Sequence, residues 1–300
     1  MRIVLAGASG FLGGLIRDRL ARTHQLVLLT RTPRGIAGVT EVEWQPDGSA
    51  GPWARTLDGA DAVINLAGEP LVGRRWSRAR KTQLAASRVM PTRSLVAAID
   101  RAAARPRVLV SASAVGYYGP HGSEVLTEDS PAGNDFLASI CVEWENAALA
   151  AEPLGTRVVT IRTGLVLSSK GGALTPMLLP FRLGLGGPIG SGRQYWPWIH
   201  ADDWCGIVEL LLDRPEISGA MNLTAPSPVT NAAFAKTLGR VLRRPAILPA
   251  PRLALRAVLG EVADALLISG QRAEPTRALA LGYTFAYENL ETALRQILGA

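Results

Sequence analysis

The sequence predicts an α/β protein: a doubly wound parallel sheet followed by a smaller, mostly helical C-terminal substrate domain. Three observations carry that class. Short apolar or β-branched runs alternate with longer helical stretches over residues 1–162. A glycine-rich loop, GASGFLG (7–13), joins the first such run to the first helix. Beyond Arg162 the chain changes texture, to Gly-Gly, Gly-Pro and Gly-Ser punctuation between helical segments.

In chain order, strands are expected at Arg2–Ala6, Gln25–Thr30, Asp61–Leu66, Val108–Ser111 and Arg157–Arg162. Helices are expected at Phe11–Arg22, Arg78–Ala104 and Asp135–Ala151. Strands that are apolar throughout, rather than alternating, need helices on both faces of the sheet. Right-handed crossovers then wind the sheet in both directions and leave the ligand crevice at the carboxyl ends of the strands. After Arg162 one helix is expected near Leu174–Leu185, and WIHADDWCGIVELLLD (198–213) reads as a strand end entering a helix. A further helix follows near Asn231–Leu242, with shorter ones to the end. The expected division is 1–165, with about 193–213 returning to it, for the nucleotide-binding domain, and 166–192 with 214–300 for the substrate domain.

Composition narrows the function classes. The 300 residues are 48% hydrophobic and 19% charged, which suits a folded chain with a large core rather than a disordered one. Met1–Ala6 is apolar, but Gly7 and Gly10 interrupt it before a signal-peptide core forms. No run approaches the roughly 20 apolar residues of a spanning helix; the expected location is the cytoplasm. Cys141 and Cys205 are too few for a disulfide framework, and His24, His121 and His200 lack metal-ligand spacing. The net charge of +7 comes mostly from arginine, clustered in RRWSRARK (74–81) and RVLRR (240–244). Those residues fall on helices between alanine and leucine, as a solvated face would, and no nucleic-acid motif accompanies them. The expected partner is a small anionic ligand rather than nucleic acid or a membrane. No motif sets the oligomeric state.

GASGFLG stands directly after a strand and opens a helix, the setting a dinucleotide pyrophosphate requires. Gly7 permits the tight turn, Gly10 lets phosphate approach the backbone, and Gly13 lets helix and strand pack closely. The end of the second strand separates the two nicotinamide cofactors. NAD enzymes usually place a carboxylate there for the ribose hydroxyls. This chain reads LLTRTPR (28–34), with Arg31 at that point and Arg34 nearby. A guanidinium matches a 2′-phosphate, so NADP(H) is the expected cofactor.

Further motifs extend the pattern: NLAGEPLVGRRWS (65–77), SASAVGYYG (111–119), TEDSPAGNDFLASICVEWE (127–145), GLGGPIGSGRQYWPWIHADD (184–203), NLTAPSPVTN (222–231) and GQRAEPTRALALGYTF (270–285). Together with the glycine loop, the chain resembles the extended short-chain dehydrogenase/reductase superfamily. Within it, the resemblance is to epimerase-family proteins that carry a C-terminal domain of unknown function, some of them labelled cell-division inhibitors. That resemblance implies a Rossmann-like domain binding NADP(H), with a small domain over the cleft. It implies that Gly7, Ser9, Gly10, Phe11, Leu12 and Gly13 line the pyrophosphate and that Arg31 meets the 2′-phosphate. Leu66, Ala67 and Gly68 would pass beneath the adenine-side ribose. Ser113 matches the superfamily's catalytic serine, and Arg162, ending its strand, would border the nicotinamide pocket. Arg193 and Gln194 stand where related sugar-nucleotide enzymes contact ligand phosphate.

One part of the pattern is missing. The superfamily's acid/base is a tyrosine in a Tyr-x-x-x-Lys helix, the spacing placing phenol and ammonium on one face. Here Leu137 falls at the tyrosine position and Cys141 at the lysine position, and no tyrosine or lysine lies between Tyr118 and Lys170. Three readings follow. Tyr118 or Tyr117, on the loop after Ser113, stands in as proton donor. Alternatively Glu69, Arg193 or His200 serves, with Cys141 the weaker candidate because an apolar helix raises a thiol pKa. In the third, there is little or no turnover and NADP(H) binding itself is the function, in a sensor or scaffold. If active, the chain acts on a carbinol or carbonyl of a small, phosphate-bearing substrate of the sugar-nucleotide kind, with Ser113 as hydrogen-bond donor and Tyr118 as acid/base. A sugar-nucleotide epimerase acting in the ordinary way ranks third, because that chemistry needs a proton shuttle this helix lacks. The different-class alternative is a non-catalytic regulator. The Trp196–Trp198 pair is read two ways, as walls for a ring-shaped substrate or as core.

Overall fold

A computed structural model describes all residues, Met1–Ala300. Its first half runs β1 (Arg2–Ala6), α1 (Phe11–Leu20), β2 (Gln25–Thr30), β3 (Thr40–Glu43), β4 (Ala62–Asn65), α2 (Arg78–Arg101), β5 (Val108–Ala114), β6 (Val125–Leu126), α3 (Phe136–Leu149) and β7 (Arg157–Thr163). It continues through β8 (Leu165–Ser168), β9 (Gly171–Gly172), α4 (Leu174–Arg182), β10 (Tyr195–Trp196), β11 (Trp198–His200), α5 (Ala201–Asp213), β12 (Gly219–Leu223), β13 (Val229–Thr230) and α6 (Asn231–Leu242). The last elements are α7 (Arg252–Leu259), α8 (Glu261–Ala263), β14 (Arg272–Ala273), α9 (Thr276–Ala280) and α10 (Leu290–Leu298).

Seven strands form one sheet in the order β12-β7-β5-β4-β1-β2-β3, every neighbouring pair parallel. The alternation inside β1 shows why both faces are covered. Ile3 and Leu5 pack with Ile16 and Leu20 of α1 and Ile207, Val208 and Leu211 of α5. Val4 and Ala6 point the other way, onto Leu95, Ala98 and Ile99 of α2 and Ala148 of α3. A strand buried on both sides reads as a continuous apolar run, which is why β1, β2, β4, β5 and β7 were legible. The two remaining strands were not expected. TEVE of β3 is a half-exposed edge strand whose glutamates hide its pattern, and GAMNL of β12 carries a glycine and an asparagine against strand propensity. β12 lies in the stretch assigned to the second domain, so the chain returns to complete the sheet after α5.

The C-terminal region gathers around Trp196, Trp198, Phe234, Leu238 and Leu294, held by α4, α6 and α10. The two tryptophans are 7% and 0% exposed, so they are core rather than walls of a ligand site. Two short strands tie this region back: β14 pairs with β6, and β11 pairs with β8. No helix is long and apolar enough to cross a membrane.

The sheet order reverses between β1 and β4, which makes that gap the switch point where doubly wound sheets bind ligands. The glycine loop after β1 and Leu66–Glu69 after β4 flank it.

Candidate functional site

The glycine loop is built for close approach. Gly7 has φ +85°, and a Cβ there would lie 2.5 Å from the Leu66 backbone carbon. A Cβ on Gly13 would overlap the Gly7 carbonyl oxygen. Gly10 differs: its φ is −78°, and a Cβ would meet only Gly7 O at 3.4 Å. The side it leaves open faces away from the protein's own backbone. The N–H groups of Phe11, Leu12 and Gly13 find no acceptor in the protein, so the first turn of α1 presents free donors together with its positive dipole end. That cradle suits a diphosphate. Phe11 turns its ring away from the loop to pack on Gly171 and Gly172 of the β9 turn. Ser9 is exposed beside the cradle.

Arg31, just past β2, makes no ion pair and is exposed. With Glu43, Trp44, Gln45, Pro46 and Asp47 it lines an open cavity of about 340 Å³, in which it is the single cationic side chain. Asp47 is turned to Ser49, and the Ser49 hydroxyl and N–H hold its carboxyl below the usual carboxylate range. Across the switch point, Leu66 and Ala67 are half-buried and Gly68 is exposed. Asn65 anchors this turn by accepting from the Ala67 N–H at 3.2 Å and donating to Thr92 Oγ1 of α2 at 2.8 Å.

At the end of β5 the structure departs from the expected chemistry. Ser113 Oγ donates to Glu145 Oε1 at 2.6 Å. Arg162 grips the same carboxylate with two parallel bonds, Nε to Oε1 and Nη2 to Oε2, each 2.9 Å. Its Nη1 donates to Tyr118 Oη at 3.1 Å and to the Glu128 carbonyl at 3.0 Å. Tyr118 in turn donates to Asn222 Oδ1 at 2.7 Å, and the Asn222 N–H donates to Glu128 Oε1 at 3.1 Å. The guanidinium carbon sits 3.4 Å from the Tyr117 ring centroid. Ser113, Tyr118, Glu128, Glu145, Arg162 and Asn222 are all under 7% exposed.

This closed network bears on two expectations. Tyr118 is fully buried, its hydroxyl is spent on Asn222 and Arg162, and burial pushes its pKa up to about 12 despite the neighbouring arginine; it is not placed as the proton donor. Arg162, which the resemblance puts at the nicotinamide pocket, turns its donors inward to Glu145, Tyr118 and the Glu128 carbonyl. Although burial works against its charge, the Glu145 bond and charge raise the Arg162 pKa further.

Of the other acid/base candidates, His200 and Glu69 are committed elsewhere, while Tyr117 is half-buried with its ring against the Arg162 guanidinium. His200 is 3% exposed and caps α5: Nδ1 accepts from the Asp202 N–H at 3.1 Å, Nε2 meets Gln296 Oε1 at 2.9 Å, and the ring lies 3.9 Å from that of Tyr287. Glu69 is bonded to Arg80 and to Gln83 Nε2, and the Arg80 bond holds its carboxyl below the usual range. It lines a cavity of about 390 Å³ with Val72, Arg74 and Arg80. Gln194 donates its amide to the Ile189 and Leu267 carbonyls, at 3.0 and 2.8 Å, stitching loops rather than facing a ligand. Arg193 remains exposed with no side-chain partner. At the vacated pair, Leu137 and Cys141 are buried, and burial pushes the Cys141 thiol up to about 12.

One side chain at this site was not expected at all. Arg88 of α2 reaches Gly68, Glu69 and Trp144, and its signal is an arginine on the stripe Leu84–Arg88–Thr92–Leu95, whose other members are buried. Glu128 and Asn222 gave no signal, since only the tertiary fold brings residues from a loop and β12 to Tyr118.

The buried phenol makes a testable statement. Its folded pKa lies above the ordinary value near 10, so the folded protein keeps a proton that the unfolded chain has lost. The sign follows: stability is full below about pH 10 and falls as pH rises toward 12. In urea unfolding, Tyr118→Phe should flatten that decline and cost about 1–3 kcal/mol at neutral pH, from the unpaired Asn222 and Arg162. An unchanged slope refutes the placement.

The parallel sheet, the switch-point cradle and the glycine loop define a dinucleotide-binding domain with a helical cap. The chain belongs to the NAD dependent epimerase/dehydratase family, whose model matches residues 3–223, and a domain of unknown function, DUF1731, matches residues 250–297. It is similar to the human "Epimerase family protein SDR39U1", 40% identical over 302 residues, covering 99% of this chain and 100% of that protein. The Bacillus subtilis "Epimerase family protein YfhF" is 38% identical, over 99% and 98% of the two chains. A crystal structure of the human protein with NADPH superposes with a TM-score of 0.90 at 38% identity, covering 100% of this chain and 99% of the other. "MoeE5 in complex with UDP-glucose and NAD" matches with a TM-score of 0.77 at 19% identity, which speaks to fold alone.

Proposed function

We propose that this chain binds NADP(H) across the β1–β4 switch point and works through that binding, as a cofactor-dependent regulatory or scaffold protein without the proton shuttle of sugar-nucleotide epimerisation. The observation that carries this reading is the closed network around Ser113. Ser113, Tyr118, Glu145 and Arg162 are each bonded to another protein group, and the tyrosine and lysine positions hold buried Leu137 and Cys141. A general acid or base must reach the reacting oxygen, directly or through one water. Choice of cofactor rests on Arg31, unpaired in its cavity, and is supported by the NADPH-bound human relative.

A second reading keeps hydride transfer, to or from a carbinol or carbonyl of a small, phosphate-bearing substrate. It is favoured by the 2.6 Å bond from Ser113 to Glu145, which would connect a substrate oxygen on Ser113 to a carboxylate. Exposed Arg193 is its candidate phosphate contact.

Fluorescence titration tests the first reading. NADPH should bind more tightly than NADH, and Arg31→Ala should weaken NADPH about tenfold to a hundredfold while leaving NADH unchanged, the size of a lost charge-assisted contact. Equal losses for both cofactors would remove the 2′-phosphate assignment. Single-turnover absorbance with NADPH and a panel of sugar nucleotides, aldehydes and ketones separates the readings. Turnover that Ser113→Ala abolishes would favour the second.

A further inference from the structure

Of the seven large apolar side chains that are 59% or more exposed, six lie on the C-terminal region: Leu179, Leu183, Leu185, Ile247, Leu253 and Val258. The backbone holds them together. After α4, residues 184–190 run beside 245–250: the Leu248 N–H donates to the Gly186 carbonyl at 3.2 Å, and the Ala250 N–H to that of Pro188 at 2.8 Å. Pro251 then opens α7, so the end of α4, Ile247 and the start of α7 are joined by direct pairing.

For a surface helix, α7 is turned inside out. None of its residues is buried. Leu253, Ala254, Ala257 and Val258 share one face and are all exposed, while Arg252 and Arg256 turn together to Asp264. A helix packed on a core does the opposite, with its apolar stripe inward and its charges in water. A contiguous apolar face left in water marks a surface that something apolar covers.

The edge of this face decides what covers it. Residues 174–193 and 239–260 contain no aspartate or glutamate. Arg182, Arg243 and Arg244 stand exposed where the ends of α4 and α6 meet, Arg244 donating from Nε to the Arg182 carbonyl at 3.0 Å. The leucines protrude rather than line a groove, and the cavities at Arg31 and Glu69 are lined by other residues. A second copy would set arginine against arginine, and a partner helix needs a groove to enter. A bilayer moulds itself around protruding leucines, and its phosphates match the arginines.

We propose that this face docks the chain on an anionic membrane surface, its leucines entering the headgroup boundary and Arg182, Arg243 and Arg244 meeting lipid phosphates. The expectation against a membrane rests on the missing span, and no helix is long and apolar enough to cross one. Lying on a surface needs only an exposed apolar face with a basic edge. Such docking requires no bound cofactor, so it stands apart from the NADP(H) reading.

Flotation of the full chain with lipid vesicles measures it. Vesicles of phosphatidylglycerol and phosphatidylcholine in equal parts should bind at least about tenfold more tightly than phosphatidylcholine alone, and salt should weaken them. Leu253→Gln with Val258→Gln should lower that affinity about tenfold or more. Arg243→Gln with Arg244→Gln should remove most of the preference for the anionic lipid. All four side chains are exposed, so thermal unfolding of both variants should match the parent. In the unaltered protein, hydrogen exchange of the α7 amides should slow on the mixed vesicles. Absence of binding, binding unmoved by the apolar pair, or unchanged α7 exchange in bound protein overturns the proposal. A dimer that the apolar pair dissolves assigns the face to a second copy and overturns it. Capture of poly-glutamate by the same residues, without vesicle binding, assigns it to an acidic protein and overturns it as well.

Discussion

Arg162→Leu is expected to lower unfolding free energy by about 3–5 kcal/mol, among the largest single losses available to this chain. The reason is the asymmetry of buried pairs. Arg162 and Glu145 are 4% and 6% exposed, and the arginine also satisfies Tyr118 and the Glu128 carbonyl. Removing it leaves a carboxylate sealed from water with only Ser113 to stabilise it. Glu145→Gln should cost less in shape but still strand the guanidinium. The double replacement, Arg162→Met with Glu145→Leu, should recover much of the loss, because two apolar groups of matching volume avoid the desolvation that either single change exposes. Urea unfolding of the three variants measures this, and single variants within about 1 kcal/mol of the parent would show that the pair is not the hub of the network.

The second large effect separates two glycines three residues apart. In Gly13→Ala the new methyl would overlap the Gly7 carbonyl, a backbone atom that no rotamer change can move. A stability loss of about 1–3 kcal/mol or more should accompany loss of NADPH binding, since the β1–α1 loop must open to admit it. Gly10→Ala is the contrast. Its Cβ meets only one backbone oxygen, at 3.4 Å, and its φ of −78° suits any residue. The variant should fold as stably as the parent, yet bind NADPH more weakly because the methyl fills the diphosphate's approach. Thermal unfolding beside fluorescence titration distinguishes the two. If Gly10→Ala binds NADPH at full strength, the cofactor does not pass over this loop as inferred.

Local patterns carried much of this protein. Five of the seven strands of the main sheet were readable because a doubly covered strand is apolar at every position, and α1, α2 and α3 because their residue patterns are local. The edge strand β3 and the returning strand β12 were not readable, since their stability comes from neighbours rather than their own residues. Gly7 and Gly13 carried their reasons with them. Tyr118, Arg162 and His200 did not, for a polar side chain near a strand end has the same sequence signature facing a ligand or facing inward.

The vacancy in GNDFLASICVEWE (133–145) marks that division sharply. The missing tyrosine and lysine could be established from residue order alone, as could the cradle, the cofactor class and the family resemblance. What the fold builds around that vacancy could not. Glu145 closing on Ser113 and Arg162, and Arg88 crossing from α2 to the far side of the turn, involve residues 17 to 32 positions apart or on different helices. Periodicity reports only what repeats within one element. The direction of a side chain at a strand end is decided by whichever partner the folded sheet brings within 3 Å, and only the tertiary structure contains that partner.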